Sequence, residues 1–280
     1  MVNVSVILPC KNEEKNITDT LDRLKAQTIQ PKEVVIVDDA STDNTLRILQ
    51  EITNRYGWIL KRREKNDERY ISIVNALKLA SSLLKQNFDY LMILDGDTLL
   101  EQQYIEKIIK KFELIPNLGI VGGSLKSPDD SKMTTFLKYS YNVFGSNRIY
   151  SNKCWFDING GKTMQANSVT WDSEHSVLAE VKGYIVKRFD DITSESIRVT
   201  SNKLPSFIRG TVYYQFGYGL PFTIIHSIFK LKLNYLLGYL NAWMNKKKRI
   251  CDQELLNQIR KQHDQKAFQR ISNILFHNNE

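Results

Sequence analysis

The chain has 280 residues, 42% of them hydrophobic and 25% charged. That is ordinary for a globular protein able to build a core, and it sets aside a disordered or low-complexity chain. A net charge of +8 and a pI near 9.2 favour an anionic partner: nucleic acid, a membrane surface or a phosphorylated small molecule. The three cysteines, Cys10, Cys154 and Cys251, are odd in number and far apart. They exclude a disulfide framework and a spaced metal site, and they predict a reducing, cytoplasmic compartment.

Along the chain, the start "MVNVSVILPCKNEE" lacks the basic and then apolar regions of a signal peptide. "VSVILP" reads as a strand stopped by Pro9, and "EKNITDTLDRLKAQ" as a helix with Ile17, Leu21 and Leu24 on one face. "EVVIVDD" is a second buried strand, followed by the helix "STDNTLRILQEITNRY", for which Ser41, Thr42 or Asp43 can cap the first turn. "GWILKRRE", "YISIVNALKLASSLL", "DYLMILD", "QQYIEKIIKKFELI" and "LGIVGGSL" continue as strand, helix, strand, helix and strand. This alternation predicts right-handed crossovers and a mostly parallel sheet covered by helices. After Lys126 the chain turns aromatic, polar and poorly periodic, as substrate-binding segments with short strands would be. "DSEHSVLAEVKG" is a helix stopped by Gly183, "YIVKRF" a strand, and the chain from Leu204 reads as helices. The most apolar late window, "LPFTIIHSIF", is cut off by Lys230 and Lys232, well short of the roughly 20 residues of a spanning helix. A soluble or peripheral protein is expected.

Ligands of such sheets sit outside the carboxyl ends of the strands. Three polar stretches fall there: residues 9–14, 38–43 and 95–98. Capping explains Asp43 or Thr98, but not acidic clusters at the ends of two strands, Asp38-Asp39 and Asp95-Gly96-Asp97. Crowded carboxylates repel, and a divalent cation relieves the conflict. Hard oxygen ligands favour Mg²⁺ or Mn²⁺, which keep waters and share the site with phosphates. Gly96 allows close backbone approach.

"VSVILPCKNEE", "EVVIVDDASTDNT" and "YLMILDGDT", in this order and spacing, resemble the family-2 glycosyltransferases of GT-A fold. Ala40 stands where the family usually has glycine. The resemblance covers about the first two thirds of the chain. It implies a GT-A α/β domain over residues 1–203, with a nucleotide-binding half (1–126) and an acceptor-binding half (127–203), followed by a helical extension over 204–280. It implies inverting transfer of a sugar from a UDP- or GDP-sugar to an acceptor hydroxyl or lipid phosphate, dependent on Mn²⁺ or Mg²⁺. Pro9, Lys11, Glu13 and Asp39 would line the nucleoside pocket, and Asp38 would support that wall. Asp95 and Asp97 would hold the metal beside Gly96, and Arg69 could reach the diphosphate. Asp172, at the start of the helix that runs into Gly183-Tyr184, falls at the family's catalytic base, with Glu174 the rival. Trp171 stands where the family usually has Glu. Lys162, Gln165 and Arg209 are candidates for contacts to acceptor or diphosphate. The aromatic and basic tail, with Lys230, Lys232 and residues 246–249, suits an anionic membrane surface next to a glycan or lipid-linked acceptor. The alternatives for it are packing on the domain and a dimer contact.

A nucleotidyltransferase is the first rival, but "PCKNEEKN" lacks the glycine-rich loop expected after its first strand. A nucleic-acid-binding protein is the second, and the acidic strand ends oppose it there. A Rossmann dehydrogenase would need G-x-G-x-x-G after the first strand.

Overall fold

The computed structural model describes residues 2–64, 69–85, 87–126, 128, 143–166, 170–198, 205–229, 231–249, 253, 256 and 257, with backbone alone at 69, 70, 225 and 229. The chain divides into two compact units. One comprises Met1–Gln165 and Leu178–Ser201, the other Ala166–Val177 and Asn202–Glu280.

In the first unit, β1 (Val4–Cys10) is buried along its whole length. It pairs in parallel with β2 (Glu33–Asp39) on one side and β4 (Tyr90–Leu94) on the other, and β2 pairs in parallel with β3 (Ile59–Arg63). A strand covered on both faces needs a continuous apolar run rather than alternation, which is what "VSVIL" and "VVIV" supply. The crossovers are α1 (Ile17–Lys25), α2 (Thr45–Tyr56) and α3 (Arg69–Ser82). Ile17, Leu21 and Leu24 of α1 and Leu49 and Ile52 of α2 join the core around β1 and β2. Because these strands run the same way, their acidic carboxyl ends lie along one edge of the sheet; Cys10 is in register with Asp38.

Three further strands complete the eight-stranded order β3-β2-β1-β4-β7-β6-β8-β5: β6 (Leu118–Lys126), β7 (Asn147–Ser151) and β8 (Ile185–Ser196), with β5 (Thr98–Leu100) at the far edge. β7 is antiparallel to both β4 and β6, and β5 to β8. The short β5 thus stands before the helix read from Gln102, which begins at Tyr104 as α4 (Tyr104–Leu114). Three residues are too few for a strand's period to register. β7 is obscured for another reason: its buried residues include Asn147 and Arg148, so it does not look apolar. α5 (Asn152–Ile158) follows it directly. β8 runs seven residues past Phe189, where its apolar signal ends.

A buried polar network fixes this second half of the sheet. Tyr104 Oη donates to the Asn147 carbonyl (2.6 Å) and accepts from the Gly123 N–H (2.7 Å). Asn147 Nδ2 donates to Ser194 Oγ (2.7 Å). At Gly123 a Cβ would lie 2.5 Å from the Ile192 carbonyl oxygen, so β6 and β8 approach closely only because this residue is glycine.

α6 (Trp171–Val181) begins in the second unit, which also contains α7 (Ser206–Gln215), α8 (Leu220–Phe229) and α9 (Asn234–Met244). α7 and α9 cross in backbone contact: a Cβ on Gly210 or Gly238 would stand 1.9 Å from the Tyr235 or Phe207 carbonyl oxygen. The last helix read from the sequence, "QELLNQIRKQHDQKAFQRISNIL", lies almost wholly outside the described residues. No helix among the described residues is long and apolar enough to cross a membrane.

Tyr104→Phe removes both the acceptor of the Gly123 N–H and a donor to Asn147. A loss of about 1–3 kcal/mol in unfolding free energy is expected, measured by urea denaturation; an unchanged midpoint would mean the network does not brace the sheet.

Candidate active site

The site begins with two loops that lock onto each other. Asn12, just past β1, takes the left-handed conformation (φ 55°), which asparagine tolerates better than most residues. Its N–H donates to Ser41 Oγ (3.0 Å), and its Oδ1 accepts from the Thr42 N–H (2.8 Å). The Glu13 N–H donates to Thr45 Oγ1 (2.7 Å). Asp43 accepts from the Thr45 N–H (3.0 Å) through one carboxylate oxygen and from the Glu14 N–H (3.3 Å) through the other. Burial would raise the Asp43 pKa, but these hydrogen bonds outweigh it and hold the carboxyl below its usual range. Asp43 is thus the turn-forming residue of "DDASTDNT", and its charge is used to tie the β1 and β2 loops together.

The two acidic residues that end β2 differ. Asp39 accepts from Arg63, its register partner on β3, and from Ser72 Oγ on α3, so protein groups already hold its carboxylate. Asp38 is fully buried; one oxygen lies 3.8 Å from Arg62 Nε and 3.4 Å from the Ser41 nitrogen. Its Oδ1 has no hydrogen-bond partner among the described residues. Ala40 has φ 56°: the position the family usually fills with glycine is left-handed here too, and alanine bears the strain.

Asp95 and Asp97 leave β4 in a tight turn, with the Asp95 N–H donating to the Ser146 carbonyl (3.1 Å). Gly96 between them is buried, and a Cβ there would lie 3.0 Å from Cys10 Cβ and 3.2 Å from Glu13 Cγ. This glycine therefore brings the Asp95–Asp97 turn against Glu13. Glu13 is 5% exposed, and burial, more than any other influence, pushes its carboxyl pKa up. One Glu13 oxygen accepts from Asn16 Nδ2 (2.9 Å) and the other from Arg198. The same guanidinium donates through Nε to Asp97 Oδ2 (2.8 Å). Burial works to lower the Arg198 pKa, but Asp97 and Glu13 together raise it. Sequence reasoning missed Arg198. The available signal was a single arginine two residues beyond β8, whose buried positions near its end alternate at Ile192, Ser194 and Ser196.

Pro9 is buried in the β1–β2 ladder, in register with Val37, and Lys11 follows half-buried. Arg69 begins α3, and its side chain is outside the described residues. Lys162 is exposed beside Gly160 and Gly161, both left-handed, and Gln165 is exposed nearby, its N–H bound to Asn159 Oδ1 (2.7 Å). In the second unit, Asp172 sits half-buried in the first turn of α6 and accepts from the Ser173 N–H (2.8 Å). Glu174 is fully buried. Arg209 lies half-buried on α7.

Among the described residues, no group of three or more His, Cys, Asp and Glu side chains stands together as a complete metal cage. The two carboxylates of the Asp95–Asp97 turn still fit Mg²⁺ or Mn²⁺, which bind through one or two carboxylates and leave other positions to water and phosphate oxygens. That Asp97 already pairs with a cationic side chain shows that this turn attracts positive charge.

The profile of glycosyl transferase family 2 matches residues 5–169. The chain belongs to this family. It is 31% identical over 121 residues to the poly-beta-1,6-N-acetyl-D-glucosamine synthase of Staphylococcus aureus, and 30% identical to that of Staphylococcus epidermidis; the match covers 43% of this chain and 28% of either relative. The solved structures it resembles include Staphylococcus aureus TarS 1-349 in complex with UDP-GlcNAc (TM-score 0.55, 19% identity, 76% of this chain and 64% of that one). Another is the Pyrobaculum calidifontis mannosyltransferase PcManGT in complex with GDP-Man and Mn²⁺ (TM-score 0.55, 19% identity, 75% and 61%). The fold is thus GT-A, as the three strand-end motifs imply.

Ala40→Gly relieves the left-handed alanine and should raise stability by about 1 kcal/mol. Thermal denaturation checks this; a lower melting temperature would show that the Ala40 methyl contributes packing that outweighs the strain.

Proposed function

We propose that this family-2 protein transfers a sugar from a UDP- or GDP-sugar to an acceptor hydroxyl or lipid phosphate, inverting the anomeric centre, with Mn²⁺ or Mg²⁺ at the donor diphosphate. The observation that carries the reading is the meeting of Glu13 and Asp97 around one cationic group at the carboxyl edge of the parallel strands. A carboxylate pair held around positive charge suits a donor that arrives as a metal–diphosphate complex. The likeness to structures holding UDP-GlcNAc, or GDP-Man with Mn²⁺, supports the same donor class.

Asp95 and Asp97 would hold the cation, which supplies charge neutralisation at the departing diphosphate. Pro9, Lys11, Glu13 and Asp39 would line the nucleoside wall. Asp38, buried with one oxygen unpartnered among the described residues, would brace that wall or accept from the nucleoside. Asp172 would take the proton of the acceptor hydroxyl. Its partial exposure suits this work better than the complete burial of Glu174. For the acceptor, exposed Leu231, Leu233, Leu237, Trp243 and Met244 lie in one segment with exposed Lys246, Lys247 and Lys248. Apolar and aromatic groups flanked by lysines suit an anionic membrane surface, and hence a lipid-linked acceptor and a peripheral position on the inner face of a membrane. Arg249 is excluded from that basic run, because its guanidinium lies 3.7 Å from the Tyr214 ring centre.

Turnover of UDP- and GDP-sugars with and without Mn²⁺, in wild type and two variants, tests this. Asp97→Ala should remove metal-stimulated turnover. Asp172→Asn should leave donor binding intact while transfer falls by about 10²–10⁴-fold. Undiminished turnover in Asp97→Ala would overturn the metal assignment, and lost donor affinity with retained rate in Asp172→Asn would overturn the base.

A further inference from the structure

Arg198 is held in place by its backbone. Thr98 on β5 is in register with Ser196 on β8. One step on, the Ile197 N–H donates to the Asp97 carbonyl (2.9 Å), and Ser196 Oγ donates to the Arg198 carbonyl (2.8 Å). The end of β8 is thus fixed to the same turn that presents the Asp97 carboxylate. From there the guanidinium spans Asp97 and Glu13, one carboxylate per nitrogen. Its side chain remains 54% exposed, whereas Glu13 is 5% exposed and Asp97 14%.

We infer that Arg198 is a built-in counter-cation, which occupies the position at Asp97 that a divalent ion would take and makes uptake of that ion depend on the nucleoside diphosphate. The inference rests on the metal–diphosphate reading above and adds a competitor to it. Arg198 already holds Oδ2 of Asp97, so an ion arriving at this carboxylate meets a second cation at close range and is opposed by it until the Nε–H withdraws. The two halves of the fork are not equally held. Leaving Asp97 strands no charge, because the arriving ion takes over that carboxylate. Leaving Glu13 would strand a buried carboxylate with Asn16 as its remaining side-chain donor among the described residues, which is costly. The guanidinium therefore releases Asp97 and stays anchored on Glu13. There it faces a diphosphate that it can bind through its planar donors. Arg198 then favours the nucleoside diphosphate and the ion together over the ion alone, which is a coupling between two ligands.

The test is Mn²⁺ binding to the full chain, read by the loss of the free-ion electron paramagnetic resonance signal, with and without UDP or GDP. Wild type should bind Mn²⁺ weakly alone and at least about tenfold more tightly with the matching nucleoside diphosphate, within the usual range of ligand coupling. Arg198→Gln should bind Mn²⁺ alone about tenfold more tightly than wild type and lose most of the nucleotide dependence. Arg198→Met, which keeps the stem but not the charge, is read the same way should the glutamine variant fold poorly. Mn²⁺ affinity without nucleotide that is unchanged or weaker in the folded variant would overturn the counter-cation while leaving the metal–diphosphate reading in place. Absence of Mn²⁺ binding in wild type and variant alike, even with nucleoside diphosphate, would overturn that reading and this inference with it.

Discussion

Carboxylates gathered at the ends of parallel strands repel one another, and the architecture of this site follows from that repulsion. At an effective dielectric of about 20, two like charges about 5 Å apart cost roughly 3 kcal/mol. The first unit answers with a cation at each acidic strand end. Arg62 and Arg63 stand opposite Asp38 and Asp39 in the β2–β3 register. Arg198 spans Glu13 and Asp97. The first two cations are part of the sheet, whereas the third comes from the end of β8 and remains half in water. That difference sets Glu13 and Asp97 apart, since their shared cation can withdraw without breaking the sheet.

The β1–β2–β4 half of the fold was legible because its chemistry is local. β-branched runs bounded by Pro9, Asp38-Asp39 and Asp95 give strands of recognisable length, and α1, α2 and α4 show clear helical periods. In the other half β6 and the start of β8 were legible, but β5, β7 and the far end of β8 were not, because their signals are non-local. β7 is a central strand with Asn147 and Arg148 buried within it; Tyr104 and Ser194 hold Asn147, and the carbonyls of Val143 and Phe144 accept from Arg148. β5 exists because β8 extends far enough to pair with it. The candidate site divides the same way. Asn12, Glu13, Asp38, Asp39 and the Asp95–Asp97 turn could be read from motif and spacing. Arg198 could not, since it lies 101 residues from its partner Asp97 and belongs to no motif. Ala40 is an intermediate case: it departs from the family in residue type but keeps the backbone conformation that glycine usually serves.

The second unit is organised by a different constraint. Gly210 and Gly238 let α7 and α9 approach to backbone contact, and aromatic side chains fill the space around them: Tyr213 stacks on Tyr235, and Tyr214 meets Tyr239 edge-on. This leaves Leu231, Leu233, Leu237, Trp243 and Met244 facing water, beside exposed lysines. The chain spans little more than a quarter of the length of the curated relatives it matches.

The central claim is that the Asp95–Asp97 turn, beside Glu13, receives a cation-bound diphosphate. Anomalous scattering from manganese in crystals grown with UDP or GDP tests it most directly. The account requires a manganese peak in contact with the Asp97 carboxylate and bridged to the diphosphate. Nucleotide bound with no manganese at that turn, or manganese bound only at a site remote from it, would contradict it.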